Sequence, residues 1–187
     1  MKDSLRAVWR WVRWPLYILV AGYVLLVIYD VQRLFDIDKT NEAVAAIHAQ
    51  KITLADVQGT NLPPIPDQAE NDATVEGIDK NNNGIRDDVE LAIFKKYPNS
   101  AKIRAAALQY ASALQMELTK VFNSETLVAV IQQEGRASIC LLDTETADEL
   151  EKTIINTETR IRFQKEIYEK YMTSYALPNS NFCDVNI

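Results

Sequence analysis

Residues 14–29 read WPLYILVAGYVLLVIY, and no charged side chain stands between Trp14 and Tyr29. Sixteen helical residues at about 1.5 Å each span roughly 24 Å, a little less than the hydrocarbon core of a bilayer at about 30 Å. The flanks supply the difference. Trp9, Trp11, Trp14 and Tyr29 suit the headgroup belt, and Arg10 and Arg13 can reach back to lipid phosphates. Pro15 is expected near the first turn, where its missing N–H does little harm. The reading is a basic segment over residues 1–13 followed by a transmembrane helix over 14–30.

Lys2, Arg6, Arg10 and Arg13 precede this helix, whereas Asp30, Asp36 and Asp38 follow it with Arg33 and Lys39. That asymmetry places the N-terminus in the cytoplasm and everything after Asp30 on the outer side. A cleaved signal peptide begins in a similar way, but Val27-Ile28-Tyr29-Asp30-Val31 offers no small-x-small cleavage site. Leu19-Val20-Ala21-Gly22 approaches a lipoprotein box, yet Tyr23 stands where Cys is required. An uncleaved anchor is therefore expected. Residues 1–29 carry +3 of a total charge of −6, which leaves −9 on the remainder. A body so acidic repels phosphate backbones, which excludes a nucleic-acid partner and favours divalent cations.

Beyond the anchor, Thr40 to Ile52 has Ala43, Ala46, Ile47 and Ile52 at helical spacing, predicting a short helix beside the membrane. Gln58 to Thr74 carries Pro63, Pro64 and Pro66 among polar residues and reads as an extended stalk, so residues 31–74 form a membrane-proximal segment. Residues 75–187 read as the main domain. Asp88 to Tyr97 stops before Pro98, and Asn99 or Ser100 can cap a helix sharing Ile103, Ala107, Tyr110, Leu114 and Val121 on one face. A third helix starts near Ser124 with Leu127, Val130, Ile131 and Ile139 apolar. The last begins at a capping box, Thr146-Ala147-Asp148-Glu149, aligns Leu150, Ile154, Ile161, Tyr168, Tyr171 and Tyr175, and ends at Leu177-Pro178. Strand signals are nearly absent. The fold expected is all-α, a transmembrane helix followed by a small helical bundle.

Asp79-Lys80-Asn81-Asn82-Asn83-Gly84-Ile85-Arg86-Asp87-Asp88-Val89-Glu90 offers oxygen at each position a twelve-residue calcium loop needs. Asp79, Asn81 and Asn83 contribute side-chain oxygens, Ile85 a backbone carbonyl, Asp87 a direct or water-bridged oxygen and Glu90 a bidentate carboxylate, while Gly84 permits the sharp turn. An all-oxygen cage with flexible amides suits calcium better than zinc or magnesium. The spacing resembles the EF-hand loop, and its D-x-N-x-N-G core is similar to dockerin and thrombospondin type 3 repeats. Two departures bear on function: Gly77 and a Pro-rich stretch stand where an entering helix belongs, and Arg86 replaces the apolar residue through which EF-hand loops pair. A lone loop without an entering helix has little means of converting binding into helix opening, so a structural staple is expected rather than a sensor.

Cys140 and Cys183 are the only cysteines, and on the outer side pairing is the default, with two free buried thiols as the alternative. A bridge across 43 residues contributes about 4 kcal/mol in the chain-entropy model. It conflicts with one straight helix over residues 146–176, whose ends would lie about 45 Å apart while the connectors reach about 43 Å fully extended. Thr153-Ile154-Ile155-Asn156-Thr157 is β-branched with a possible cap at Asn156, so a break is predicted there.

Catalytic signals are sparse. His48 is the only histidine and reads as a solvated helix residue. Val130-Ile131-Gln132-Gln133-Glu134-Gly135 is similar to the helix carrying the catalytic Glu of lytic transglycosylases, but Gly135 stands where that family has Ser, and Glu134 reads more simply as a solvated or capping carboxylate. Tyr168, Tyr171 and Tyr175 fit core packing better than a partner surface. Glu76 to Glu90, with Lys95-Lys96-Tyr97-Pro98 and Cys183-Asp184, resembles uncharacterised bacterial exported proteins, a resemblance that implies no activity. The expectation is a calcium-stabilised, non-enzymatic domain on the periplasmic side of a bacterial inner membrane, anchored by a single pass and holding an envelope protein. A cell-wall lytic enzyme using Glu134 and a calcium sensor are the alternatives.

Overall fold

The computed structural model describes residues 2–141, 144–177 and 182–185, with side chains from residue 14 onward except that of residue 144. The basic and Trp-rich side chains of residues 2–13 and the terminator Pro178 lie outside the described set. All regular structure is helical, with no strand among the described residues: α1 (Lys2–Ala49), α2 (Leu54–Gln58), α3 (Gln68–Asp72), α4 (Asp87–Lys96), α5 (Ala101–Lys120), α6 (Ser124–Leu141), α7 (Thr144–Ile154) and α8 (Glu158–Tyr171). The chain divides into two compact units, Met1–Glu42 and Ala43–Ile187.

In the first unit α1 is long and apolar enough to cross a membrane. Its apolar side chains are bare, with Leu19 71% and Ile18 70% exposed, which is the reverse of a soluble core helix. The separate short helix expected from Thr40 does not form. No Gly or Pro interrupts residues 23–49, Thr40 bonds back to the Asp36 carbonyl at 2.8 Å, and helix formers follow, so α1 continues to Ala49. Because α1 begins at Lys2, Pro15 lies inside the helix and not in its first turn.

The second unit is organised by α5, which is buried over most of its circumference from Arg104 to Leu118. Its alanines at 105, 106, 107, 111 and 113 leave little side-chain bulk between it and the helices around it, chiefly α6 and α7. Ser100 caps α5 by accepting from the Ile103 N–H, and Asn123 and Thr126 close the start of α6. Ala107 and Leu114 occupy the predicted buried face, but Ile103, in the exposed first turn, is 44% open and Ile139 is also exposed.

The predicted break after Thr153 is present. α7 ends at Ile154, and Thr157 rather than Asn156 caps α8, accepting from the Arg160 N–H. Three details differ from the sequence reading. α7 starts at Thr144, so Thr146 is not its cap; its hydroxyl accepts from Tyr97 instead. The break resets the helical phase, so Ile161 points to solvent while Arg160 and Ile167 turn inward. α8 stops at Tyr171, leaving Tyr175 exposed in a non-helical segment.

The Pro-rich stretch is not a free stalk. Pro63 and Asn71 are buried, and two buried arginines answer carbonyls in and beside it. Arg104 donates to the Val57 carbonyl at 2.7 Å; Arg160 donates to those of Asn71 at 2.5 Å, Thr74 at 3.3 Å and Val75 at 3.0 Å. Backbone without a ladder thus finds charged donors inside the domain. Cys140 and Cys183 form a disulfide with Cα atoms 5.2 Å apart. Beside it Asp184 accepts from Arg136 at 2.9 Å and from the Ile52 N–H at 3.2 Å, fixing residues 182–185 to the domain.

Candidate metal centre

No helix runs into the Asp79 loop. α3 ends at Asp72, and Gly77 follows at φ +72, a conformation favouring glycine. A side chain there would also strike the Arg86 side chain. The loop then closes on its own acidic and amide groups. Asp79 accepts from the N–H groups of Asn83 at 3.3 Å and Gly84 at 2.9 Å, and Asn83 Oδ1 accepts from the Ile85 N–H at 2.9 Å. Asn82 at φ 56 and Gly84 at φ 84 make the turn. Gln50 rests directly on Gly84 and donates to the Asn83 carbonyl at 3.2 Å.

Ile85 sends its side chain into the core, which pins the loop's midpoint. Asp87 and Glu90 open α4 and are 0% and 1% exposed. One Asp87 oxygen accepts from the Lys80 N–H at 3.0 Å; the other is buried without a partner. Glu90 accepts from the Asn81 amide at 2.9 Å, and that amide also donates to the Asn61 carbonyl at 2.9 Å. Burial raises both carboxyls above their ordinary range. The Lys80 N–H opposes this for Asp87 and the Asn81 amide for Glu90, while the charges of neighbouring aspartates add to it.

The six proposed ligand residues therefore lie on one turn, linked by Asp79–Asn83, Asp87–Lys80 and Asn81–Glu90 contacts. Among the described residues no three His, Cys, Asp or Glu side chains gather as a metal-binding group. Asp79 spends its oxygens on backbone N–H groups, and Asn81 turns its amide N–H toward Glu90, so cation binding requires that amide to rotate and present oxygen. A groove of about 860 Å³ runs beside the loop, lined by Asp79, Asn81, Asn82, Gln50, Gln115 and Lys120 among others.

Arg86, which the sequence marked only as a departure, is fully buried and structural. It grips Asp88 through Nε at 2.6 Å and an NH2 group at 3.1 Å, and donates to the carbonyls of Thr153 and Ile154 at 3.0 and 2.9 Å. It thereby caps the C-terminus of α7 and fastens the loop to it. Arg160, held by Asp72 at 2.9 Å and Asn156 at 2.6 Å, stands close enough to Arg86 that its own pKa is lowered, by burial first and the Arg86 charge second. A periodicity signal for Arg160 existed: it precedes Phe163 and Ile167 at core spacing.

His48 is exposed, as read from sequence, and meets Gln133 at 2.9 Å. Tyr168 and Tyr171 pack against the core, while Tyr175 does not. Glu134 is half-buried within α6 and is not a cap. Its Oε1 is sealed from solvent with no partner, beside Glu117.

The chain thus belongs to the class of all-α proteins carrying a membrane-length N-terminal helix. Comparison with protein-family models, curated proteins and solved structures yields no match.

Proposed function

We propose that this protein is a single-pass, membrane-anchored domain on the outer side of a bacterial inner membrane, stabilised by one calcium ion and holding another envelope protein near the bilayer. The observation that carries this reading is the turn from Asp79 to Glu90: two carboxylates are buried at the head of α4, one Asp87 oxygen has no partner, and among the described residues no basic side chain reaches either carboxylate by a hydrogen bond or salt bridge. A cation resolves that arrangement. Asp79, Asn81, Asn83, Asp87 and Glu90 with the Ile85 carbonyl would hold it, and calcium would supply the positive charge that lets these carboxylates stay ionised.

The staple role is supported by Arg86, which joins the loop's exit to α7, and by the absence of an entering helix to swing. The anchor is supported by the bare apolar surface of α1.

The test is thermal unfolding of the full chain in detergent micelles, in calcium and in chelator. Calcium is expected to raise the midpoint, and Glu90→Gln to abolish the rise; equal midpoints would sink the metal role. Crosslinking in intact cells with and without chelator, read by mass spectrometry, tests the holding role. A partner recovered only with calcium supports it, and no crosslinked protein under either condition counts against it.

A further inference from the structure

Away from the loop, a second acidic centre lies where α5, α6, α7 and α8 meet. Glu117 of α5 is 1% exposed. It accepts from the Tyr168 hydroxyl and, at 2.7 Å, from the Gln164 amide, two donors one turn apart on α8. Glu134 of α6 bonds to Glu117 from the other side, and its remaining oxygen, Oε1, is buried with no partner. The titratable groups around Glu134 are Glu117 and Tyr110 on α5, Glu151 on α7 and Tyr168 on α8; the charges acting on it, from Glu117 and Glu151, are both negative.

Two ionised carboxylates cannot share such a place without a cation. The hydrogen-bond pattern assigns the forms. Glu117, whose two oxygens each accept from a donor on α8, is the anion; Glu134, with no such donor, is the acid, its O–H donating to Glu117. The orphaned Oε1 fits this assignment, because a neutral carbonyl oxygen loses less by lacking a partner than an anion does.

We propose that Glu117 and Glu134 share one proton that latches α8 onto α5 and α6, and that loss of this proton in alkaline surroundings releases α8. Burial first, then the Glu117 charge, raises Glu134 well above the usual carboxyl range. The folded chain therefore holds one proton more than the unfolded chain. The stability this confers is complete below the ordinary glutamate value and is lost as pH rises toward the raised one, the folded-to-unfolded ratio falling about tenfold per pH unit between them. Release uncovers the apolar inner face of α8, Ile167 with Tyr171, and the α6 residues it covers. The device is separate from the calcium loop.

The test is amide hydrogen exchange of the full chain in detergent micelles with excess calcium, at about pH 6 and about pH 9, corrected for intrinsic exchange rates. Peptides from α8 are expected to lose protection at least about tenfold more than peptides from α5. In Glu134→Gln, whose amide donates to Glu117 at every pH, α8 is expected to stay protected throughout. An unchanged α8 in the wild-type chain, or a Glu134→Gln chain that loses protection in parallel with it, would overturn the latch. Should Glu134→Gln not fold, Glu134→Met serves, since it also removes the titrating proton, and the wild-type result stands by itself.

Discussion

Two regions of the second unit, Ala43–Ile187, bury carboxylates, and they handle the negative charge differently. At the Asp79 loop, Asp87 and Glu90 meet N–H groups from Lys80 and Asn81, one oxygen stays unanswered, and a groove opens alongside. Between α5, α6 and α8, Glu117 is fully answered by Tyr168, Gln164 and Glu134, and the helices close over it. The first is a turn rich in oxygen beside an open groove, the arrangement on which the proposed metal role rests. The second is held by side chains on three helices with Glu117 only 1% exposed, and there the proposed counter-charge is a proton. Burying a carboxylate therefore does not by itself announce a metal site. What distinguishes the two is whether the surrounding oxygens sit on a turn that can rearrange.

Separating the loop from α7 gives the largest effect. Arg86→Leu leaves Asp88 and two carbonyls without their donor and is expected to cost about 3–5 kcal/mol in denaturant unfolding. Arg86→Lys should recover little of this, since a single ammonium cannot face all three acceptors. Next in size is calcium itself. For a site of about 10⁻⁴–10⁻³ M, roughly 10 mM calcium should add about 1.4–2.7 kcal/mol over chelator, read as a shift of several degrees in the melting midpoint. Gly84→Ala should cost about 1–2 kcal/mol for its left-handed backbone, and more if Gln50 cannot move aside; unfolding at fixed calcium measures it.

Smallest when taken per pH unit is the effect that separates the two regions by pH. Asp87, Glu90 and Glu134 are all raised, so in chelator stability should fall as pH climbs above the ordinary carboxyl range. Calcium should remove the part of the slope belonging to the loop, because bound metal keeps those carboxylates ionised. The part that remains, about 1.4 kcal/mol per pH unit, should vanish in Glu134→Gln.

The membrane-length apolar helix, the helices from α4 onward and the break near Asn156 could be read from the chain because each rests on local signals: an apolar run, helical spacing, β-branched residues beside a cap. What escaped the sequence depends on distant partners. The Pro-rich segment reads as a stalk until Arg104 and Arg160 are seen beneath it, and those arginines look like surface residues in composition. Glu134 looks solvated because its counterparts, Glu117 and Tyr168, are 17 and 34 residues away. α1 reads as two helices because the uncharged run ends at Tyr29 and helical spacing is picked up again from Thr40, although the end of an apolar run does not end a helix.

Calcium binding by the full chain, titrated by calorimetry in detergent micelles from a metal-free start, tests the central claim most directly. The account expects one saturable site per chain, lost in Glu90→Gln and retained in Glu134→Gln. No saturable heat in the wild-type chain, or binding that survives Glu90→Gln unchanged, would contradict it.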